Sequence, residues 1–129
     1  MLLNGFHHVM VKVHDFDKSV AFYEALGAKV THVWGAPDKQ CALLDIGGQN
    51  MELISGAPEE PQTAGPINHF AFRTEDCAAC VSAAVAAGAE VTREMSVPTI
   101  PAKPEPIVVR LAFVAGPDNE SIEFFQVIE

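Results

Sequence analysis

Along Phe6-His7-His8-Val9-Met10-Val11-Lys12-Val13 the side chains alternate: Val9, Val11 and Val13 fall on one side of an extended chain, and Phe6, His8, Met10 and Lys12 on the other. That period of two predicts a strand over 6–13. From Asp17 the period lengthens. Val20, Phe22, Tyr23 and Leu26 recur at helical spacing, which predicts a helix over about 17–26. Asp15 or Asp17 is placed to cap it, and Gly27 stands where its C-terminal cap is expected. Strands follow at about 28–34, 40–46 and 50–55, the last two turning at Gly47-Gly48-Gln49-Asn50.

The pattern then restarts. A strand is predicted over 67–73, a helix over 76–87 closed by Gly88, and a strand over 89–94. Val97–Pro106 carries four prolines and reads as a stiffened loop, because proline lacks the N–H that a ladder needs. The closing strands are 107–115 and 120–127, joined at Gly116-Pro117-Asp118-Asn119. The interval from His8 to His69 also takes Asp15 to Asp76, Val20 to Val81, Gly27 to Gly88, Ala28 to Ala89 and Val30 to Val91. A shared, ungapped interval marks an internal repeat.

Module 1 is expected over about 5–56 and module 2 over about 66–128. The stretch at about 57–65, rich in Pro, Gly and Glu, links them within one domain spanning 1–129. Each module reads strand, helix, then three strands. The expected fold is α+β: two tandem βαβββ modules pair into a cleft-forming mixed sheet, with the helices outside.

Composition narrows the function. Hydrophobic residues make up 49% of the 129, enough for a packed core. The net charge of −9, from 17 acidic and 8 basic side chains, argues against a nucleic-acid partner. No apolar run approaches a membrane span. Met1-Leu2-Leu3-Asn4 leads straight into the first strand, leaving no room for a secretory signal, so a cytoplasmic protein is expected. Cys41, Cys77 and Cys80 are too few for a disulfide framework. Cys77-Ala78-Ala79-Cys80 matches a redox spacing, but its alanine-rich helical setting favours small core residues.

Two glutamates stand inside apolar strands: Glu52 in Met51-Glu52-Leu53-Ile54 and Glu123 in Ile122-Glu123-Phe124-Phe125. Their interval exceeds that of the histidines by the length of the proline loop. Glu52 and Glu123 are therefore equivalent positions, as His8 and His69 are. A carboxylate within an apolar strand is costly unless paired or bound to a cation. Two imidazoles and two carboxylates at repeat-related positions suit one divalent ion, Zn²⁺, Ni²⁺, Co²⁺ or Fe²⁺, with positions left open for water or substrate. His7 is one residue off, so its side chain is expected to point away. His14 and His32 are read as surface or edge residues, and Tyr23 and Trp34 as packing.

By alternation, Phe6, Met10 and Lys12 share the His8 face, and Ile67, Ala71 and Arg73 the His69 face. Ile54, Phe125 and Val127 share the faces of the glutamates. This describes an apolar pocket around a metal, suited to a small oxygen-bearing substrate. Lys12 and Arg73 either meet an anionic group of that substrate or snorkel to water. Lys103 in the proline loop is either part of a lid or a solvated lysine.

Phe6-His7-His8-Val9, Asp17–Gly27, Met51-Glu52-Leu53, Asn68–Phe72 and Pro117–Phe124 together resemble the vicinal oxygen chelate superfamily, the glyoxalase, bleomycin-resistance and extradiol-dioxygenase group. The likeness covers essentially the whole chain. Within the group, the quartet His8, Glu52, His69 and Glu123 resembles glyoxalase I, to which methylmalonyl-CoA epimerases are similar. The resemblance implies a lyase or isomerase acting on the hemithioacetal of a 2-oxoaldehyde and a thiol. A metal-stabilised enediolate is implied, with Glu123 as first choice of base and Glu52 as second. Nickel or cobalt, or zinc, is the implied metal, with iron or manganese as further candidates, and a homodimer is implied. The arginine early in the first strand and the asparagine-bearing stretch after Glu52, which hold glutathione in such enzymes, have no counterpart here. An epimerase or an iron dioxygenase is the alternative within enzymes. A small-molecule-binding or resistance protein of the same fold is the alternative from another class.

Overall fold

The computed structural model describes Leu2, residues 6–63 and residues 65–128. Apart from Leu2, the opening run Met1–Asn4 lies outside these residues. The chain divides into two compact units, Met1–Pro61 and Gln62–Glu129.

In the first unit the order is β1 (His8–Val13), α1 (Phe16–Ala25), β2 (Lys29–Ala36), β3 (Lys39–Ile46) and β4 (Gln49–Ser55). They form a mixed sheet in the order β1-β4-β3-β2, with β1 parallel to β4 and the other pairs antiparallel. Asp15 caps α1, its carboxylate accepting from the Lys18 N–H at 3.1 Å. Such a cap is worth about 1 kcal/mol. Gly27, at φ 103°, takes the left-handed conformation that ends the helix. Gly47 and Gly48 both have positive φ, as a two-residue hairpin turn requires.

The α1 side of this sheet is the core. Val13, Ala42, Leu44, Met51 and Leu53 are buried there with Ser19, Phe22 and Tyr23 of the helix. The valine row of β1 is only partly covered: Val13 is buried, but Val9 remains exposed. α1 lies over β4 and β2 rather than over the edge strand β1. Phe6 precedes the strand instead of opening it and is 99% exposed.

The second unit repeats the plan with β5 (Phe70–Arg73), α2 (Cys77–Ala86), β6 (Glu90–Ser96), β7 (Thr99–Ile100), β8 (Ile107–Ala115) and β9 (Ser121–Val127). The sheet order is β5-β9-β8-β6, and β5 runs parallel to β9. Asp76 caps α2 by accepting from the Ala79 N–H at 3.0 Å, the counterpart of Asp15. Val109, Ala112, Val114, Ile122 and Phe124 are buried with Cys77 and Ala84. Two differences from the sequence reading stand out. The first strand of this unit starts at Phe70, not 67. The proline loop is not wholly irregular: Thr99 and Ile100, between its prolines, pair with Val108 and Ile107. The prolines flank this short ladder, so no missing N–H falls inside it.

The turn between β8 and β9 is held by its own side chains. The Asp118 N–H donates to Glu120 Oε1 at 2.7 Å, and the Asn119 amide donates to the Gln62 carbonyl at 2.8 Å. Asn119 has φ 64°, a conformation asparagine tolerates better than most residues.

Candidate functional site

Parallel pairing fixes which side chains share a face. β1 and β4 place Met10 across from Glu52, and β5 and β9 place Ala71 across from Glu123. Each histidine precedes its glutamate's partner by two residues, so it lies on the same face, one diagonal step away. The imidazoles cover that step. His8 Nε2 lies 3.1 Å from Glu52 Oε1, and His69 Nε2 lies 3.2 Å from Glu123 Oε1. The first unit thus brings His8 to Glu52 and the second brings His69 to Glu123, in the same geometry. Among the described residues, no third His, Cys, Asp or Glu joins either pair in a metal-holding cluster within its unit.

The glutamates are the enclosed members. Glu123 is 7% exposed, while His8 and His69 stand at the surface of their units. Burial of Glu123 comes from its neighbours in β8 and β9. Phe113 is directly across from it, and Phe125 follows it on the same face.

The ring nitrogens that face away from the glutamates also have partners. His69 Nδ1 is 2.8 Å from Asn68 Oδ1, and His8 Nδ1 is 2.9 Å from His7 Nδ1. His7 does not point away, as strict alternation predicts, because residue 7 lies before β1 begins. Its ring stands edge-on to that of His8, with centroids 5.2 Å apart. The repeat held the signal, since the interval that relates the site histidines also relates His7 to Asn68.

Two further residues of this face escape a reading confined to the first and last strand of each module. Phe113 packs edge-on against His69, with centroids 5.1 Å apart. Arg93 of β6 pairs with Phe113 in register and holds its guanidinium carbon 5.8 Å from the ring centroid. Following the register across β9, β8 and β6 finds both. In the first unit the same row is Glu52, Leu43 and His32, so His32 is the repeat counterpart of Arg93.

The model of the Glyoxalase/Bleomycin resistance protein/Dioxygenase superfamily matches residues 5–124. The chain belongs to this superfamily. Among its relatives, the uncharacterized protein YwbC of Bacillus subtilis is 33% identical over 125 residues, covering 92% of this chain and 94% of that protein. The lactoylglutathione lyase of Haemophilus influenzae is 28% identical over 127 residues, covering 92% of this chain and 90% of that protein. Among solved structures, the fosfomycin resistance protein FosX of Listeria monocytogenes, complexed with Mn(II) and sulfate, superposes with a TM-score of 0.73. It is 18% identical, over 96% of this chain and 93% of that one, and shares the fold.

Met10 is 52% exposed beside the His8–Glu52 pair. Lys12 is exposed at the far end of β1, its stem passing over Gly56. Arg73 ends β5 across from half-buried Phe125. Lys103 is exposed in the loop between β7 and β8. Cys77 is fully buried, and burial, reinforced by Cys80, pushes its thiol pKa up. That is the opposite of what a reactive thiol needs. Among the described residues no helix is long and apolar enough to cross a membrane.

Proposed function

We propose that the protein is a divalent-metal-dependent lyase of glyoxalase type, isomerising the hemithioacetal of a small 2-oxoaldehyde and a thiol. The two His–Glu pairs are the two halves of its metal site, drawn from one chain or from two copies in a homodimer. The observation that supports this reading is the pair itself, present once in each unit at 3.1 and 3.2 Å.

The donor set fits a metal. Asn68 Oδ1 lies 2.8 Å from His69 Nδ1, which leaves Nε2 as the nitrogen on the Glu123 side. That nitrogen is 3.2 Å from a carboxylate oxygen. An imidazole nitrogen and a carboxylate oxygen at this distance share a cation, either a proton or a metal ion. Imidazole nitrogen with carboxylate oxygen suits nickel, cobalt or zinc, and also iron or manganese. His8, Glu52, His69 and Glu123 would hold it. Bound there, a divalent ion supplies Lewis acidity toward the substrate oxygens.

The protein's own part is proton transfer. Glu123 takes the proton from the carbon bearing sulfur and returns it to the neighbouring carbonyl carbon, while the hydroxyl proton passes to the former carbonyl oxygen. The product is the thioester of a 2-hydroxy acid, and no atom is gained or lost. Glu123 is preferred to Glu52 because it is the more enclosed carboxylate, standing beside Phe113 and Phe125. Lys12, Arg73 and Arg93 are candidate partners for an anionic thiol. The relationship to lactoylglutathione lyase supports the reaction class.

The test is turnover of methylglyoxal with a panel of thiols, on protein loaded with nickel, cobalt or zinc. Glu123→Gln is expected to keep its metal and lose about 10²–10⁴-fold in rate, the usual size of a general-base contribution. If no thiol is turned over with any of the three metals, the glyoxalase reading falls.

A further inference from the structure

The two units repeat the His–Glu pair but not the row of side chains beside it. In the second unit the row runs from Glu123 to Phe113 and then Arg93. In the first it runs from Glu52 to Leu43 and then His32. An arginine over an aromatic ring thus stands beside one glutamate only.

From this asymmetry we infer that Arg93 is a specificity-determining residue, whose guanidinium seats a carboxylate carried by the thiol half of the substrate. The inference rests on the glyoxalase reading above and names the end of the substrate that Arg93 holds. The scaffold is common to both units, so a feature found in one of them matches an unsymmetrical substrate better than a shared structural need.

Arg93 is a held cation. Its guanidinium carbon stands 5.8 Å from the Phe113 ring centroid, within cation–π range. Phe113 in turn meets His69 edge-on, with centroids 5.1 Å apart. One ring therefore ties Arg93 to the His69–Glu123 pair. A contact with a ring leaves guanidinium N–H groups able to meet a carboxylate as a fork. Among the described residues, no carboxylate forms an ion pair with Arg93, in a chain with 17 acidic side chains against 8 basic. Glu90 and Glu94 lie on the same strand, and neither is paired with it.

The sheet also sets a length. Neighbouring strands lie about 4.8 Å apart, so β6 stands roughly 10 Å from β9. A carboxylate at Arg93 is then several bonds away from the carbon that loses its proton beside Glu123. Mercaptoacetate, with one methylene between sulfur and carboxylate, is too short to reach. γ-Mercaptobutyrate spans more of the interval.

The experiment compares kcat/KM with methylglyoxal for γ-mercaptobutyrate and for its neutral amide, on nickel-loaded wild type, Arg93→Gln and Lys18→Gln. The wild type should favour the acid, and mercaptoacetate should show little of that preference over its own amide. Arg93→Gln should cut the acid-to-amide ratio about 10–100-fold, the usual worth of a hydrogen bond to a charged group. Lys18→Gln removes the same charge from an exposed position on α1 and should keep the wild-type ratio. Arg93 is exposed, so the fold should survive its replacement, checked by circular dichroism. A second readout needs no turnover. In protein incubated with zinc, the Arg93 Nε–H resonance should shift on titration with γ-mercaptobutyrate and stay in place with the amide. A wild-type ratio near one, a ratio that survives Arg93→Gln, or one that falls equally in Lys18→Gln overturns the inference. If no thiol is turned over while the Arg93 resonance answers to the acid alone, the carboxylate seat stands and the glyoxalase reading falls. No turnover and no response overturn both.

Discussion

His69 reaches Glu123 on a diagonal: β5 pairs Ala71, not His69, with Glu123, and the imidazole spans the extra step to bring Nε2 within 3.2 Å of Oε1. His8 and Glu52 repeat the arrangement, with Met10 in the place of Ala71. The reach depends on the full length of the glutamate side chain. Glu123→Asp retracts the carboxylate by one methylene, so the two groups no longer meet. Turnover is expected to fall about 10²-fold, the scale of a 1 Å misplacement. Steady-state kinetics on the metal-loaded variant checks this, and wild-type rates would show that the diagonal contact is dispensable.

The sheet that carries Glu123 leans on the other face of β9. Phe124 is 1% exposed and stacks near Phe72, with ring centroids 6.4 Å apart. Phe124→Ala should cost about 3–5 kcal/mol, combining lost transfer energy with the cavity left behind. Urea unfolding with an unchanged slope is the measure. A loss under 1 kcal/mol would mean that Phe124 is not core.

Gly27 and Gly35 have nearly the same positive φ, at 103° and 100°, in different surroundings. A Cβ at Gly27 would meet nothing, while one at Gly35 would run into the Lys39 carbonyl oxygen across the β2–β3 hairpin. Gly27→Ala should therefore cost only the left-handed strain, about 1–2 kcal/mol. Gly35→Ala should cost distinctly more, because the hairpin backbone must also move. Paired thermal melts compare them, and equal losses would contradict the collision.

Burial, with Cys80 and Asp76 as smaller contributors and Arg110 opposing, raises the Cys77 thiol above its ordinary 9.0. The sign follows from linkage. The unfolded thiol ionises first, so the stability tied to Cys77 is complete below the ordinary value and is lost as pH rises toward the folded one. Cys77→Ala should flatten the decline in stability across that alkaline window. In the native wild type, iodoacetamide should modify Cys77 slowest of the three cysteines. Rapid native modification would show a reactive thiol instead.

Much of this plan is legible in the sequence because both modules use the same punctuation. Asp15 and Asp76 cap, Gly27 and Gly88 terminate, and strand alternation puts each histidine on its glutamate's face. What is not legible depends on contacts between strands. The Thr99–Ile100 ladder hides between prolines, because only β8 supplies its partner. Phe113 and Arg93 are found only by carrying the register over two further strands. His7 breaks the alternation because the strand starts after it, and strand ends are set by pairing, here of His8 with Asn50. The exposure of Val9 likewise reflects where α1 comes to rest, which the apolar pattern of β1 does not specify.

In the proposed function, the two His–Glu pairs build one site for a divalent ion. Equilibrium dialysis against nickel, with wild type, His8→Ala and His69→Ala, addresses it most directly. One ion per chain in the wild type, and marked loss of affinity in each single variant, is the predicted result. Two ions per chain, or a His69→Ala protein that binds nickel as tightly as the wild type, would contradict it.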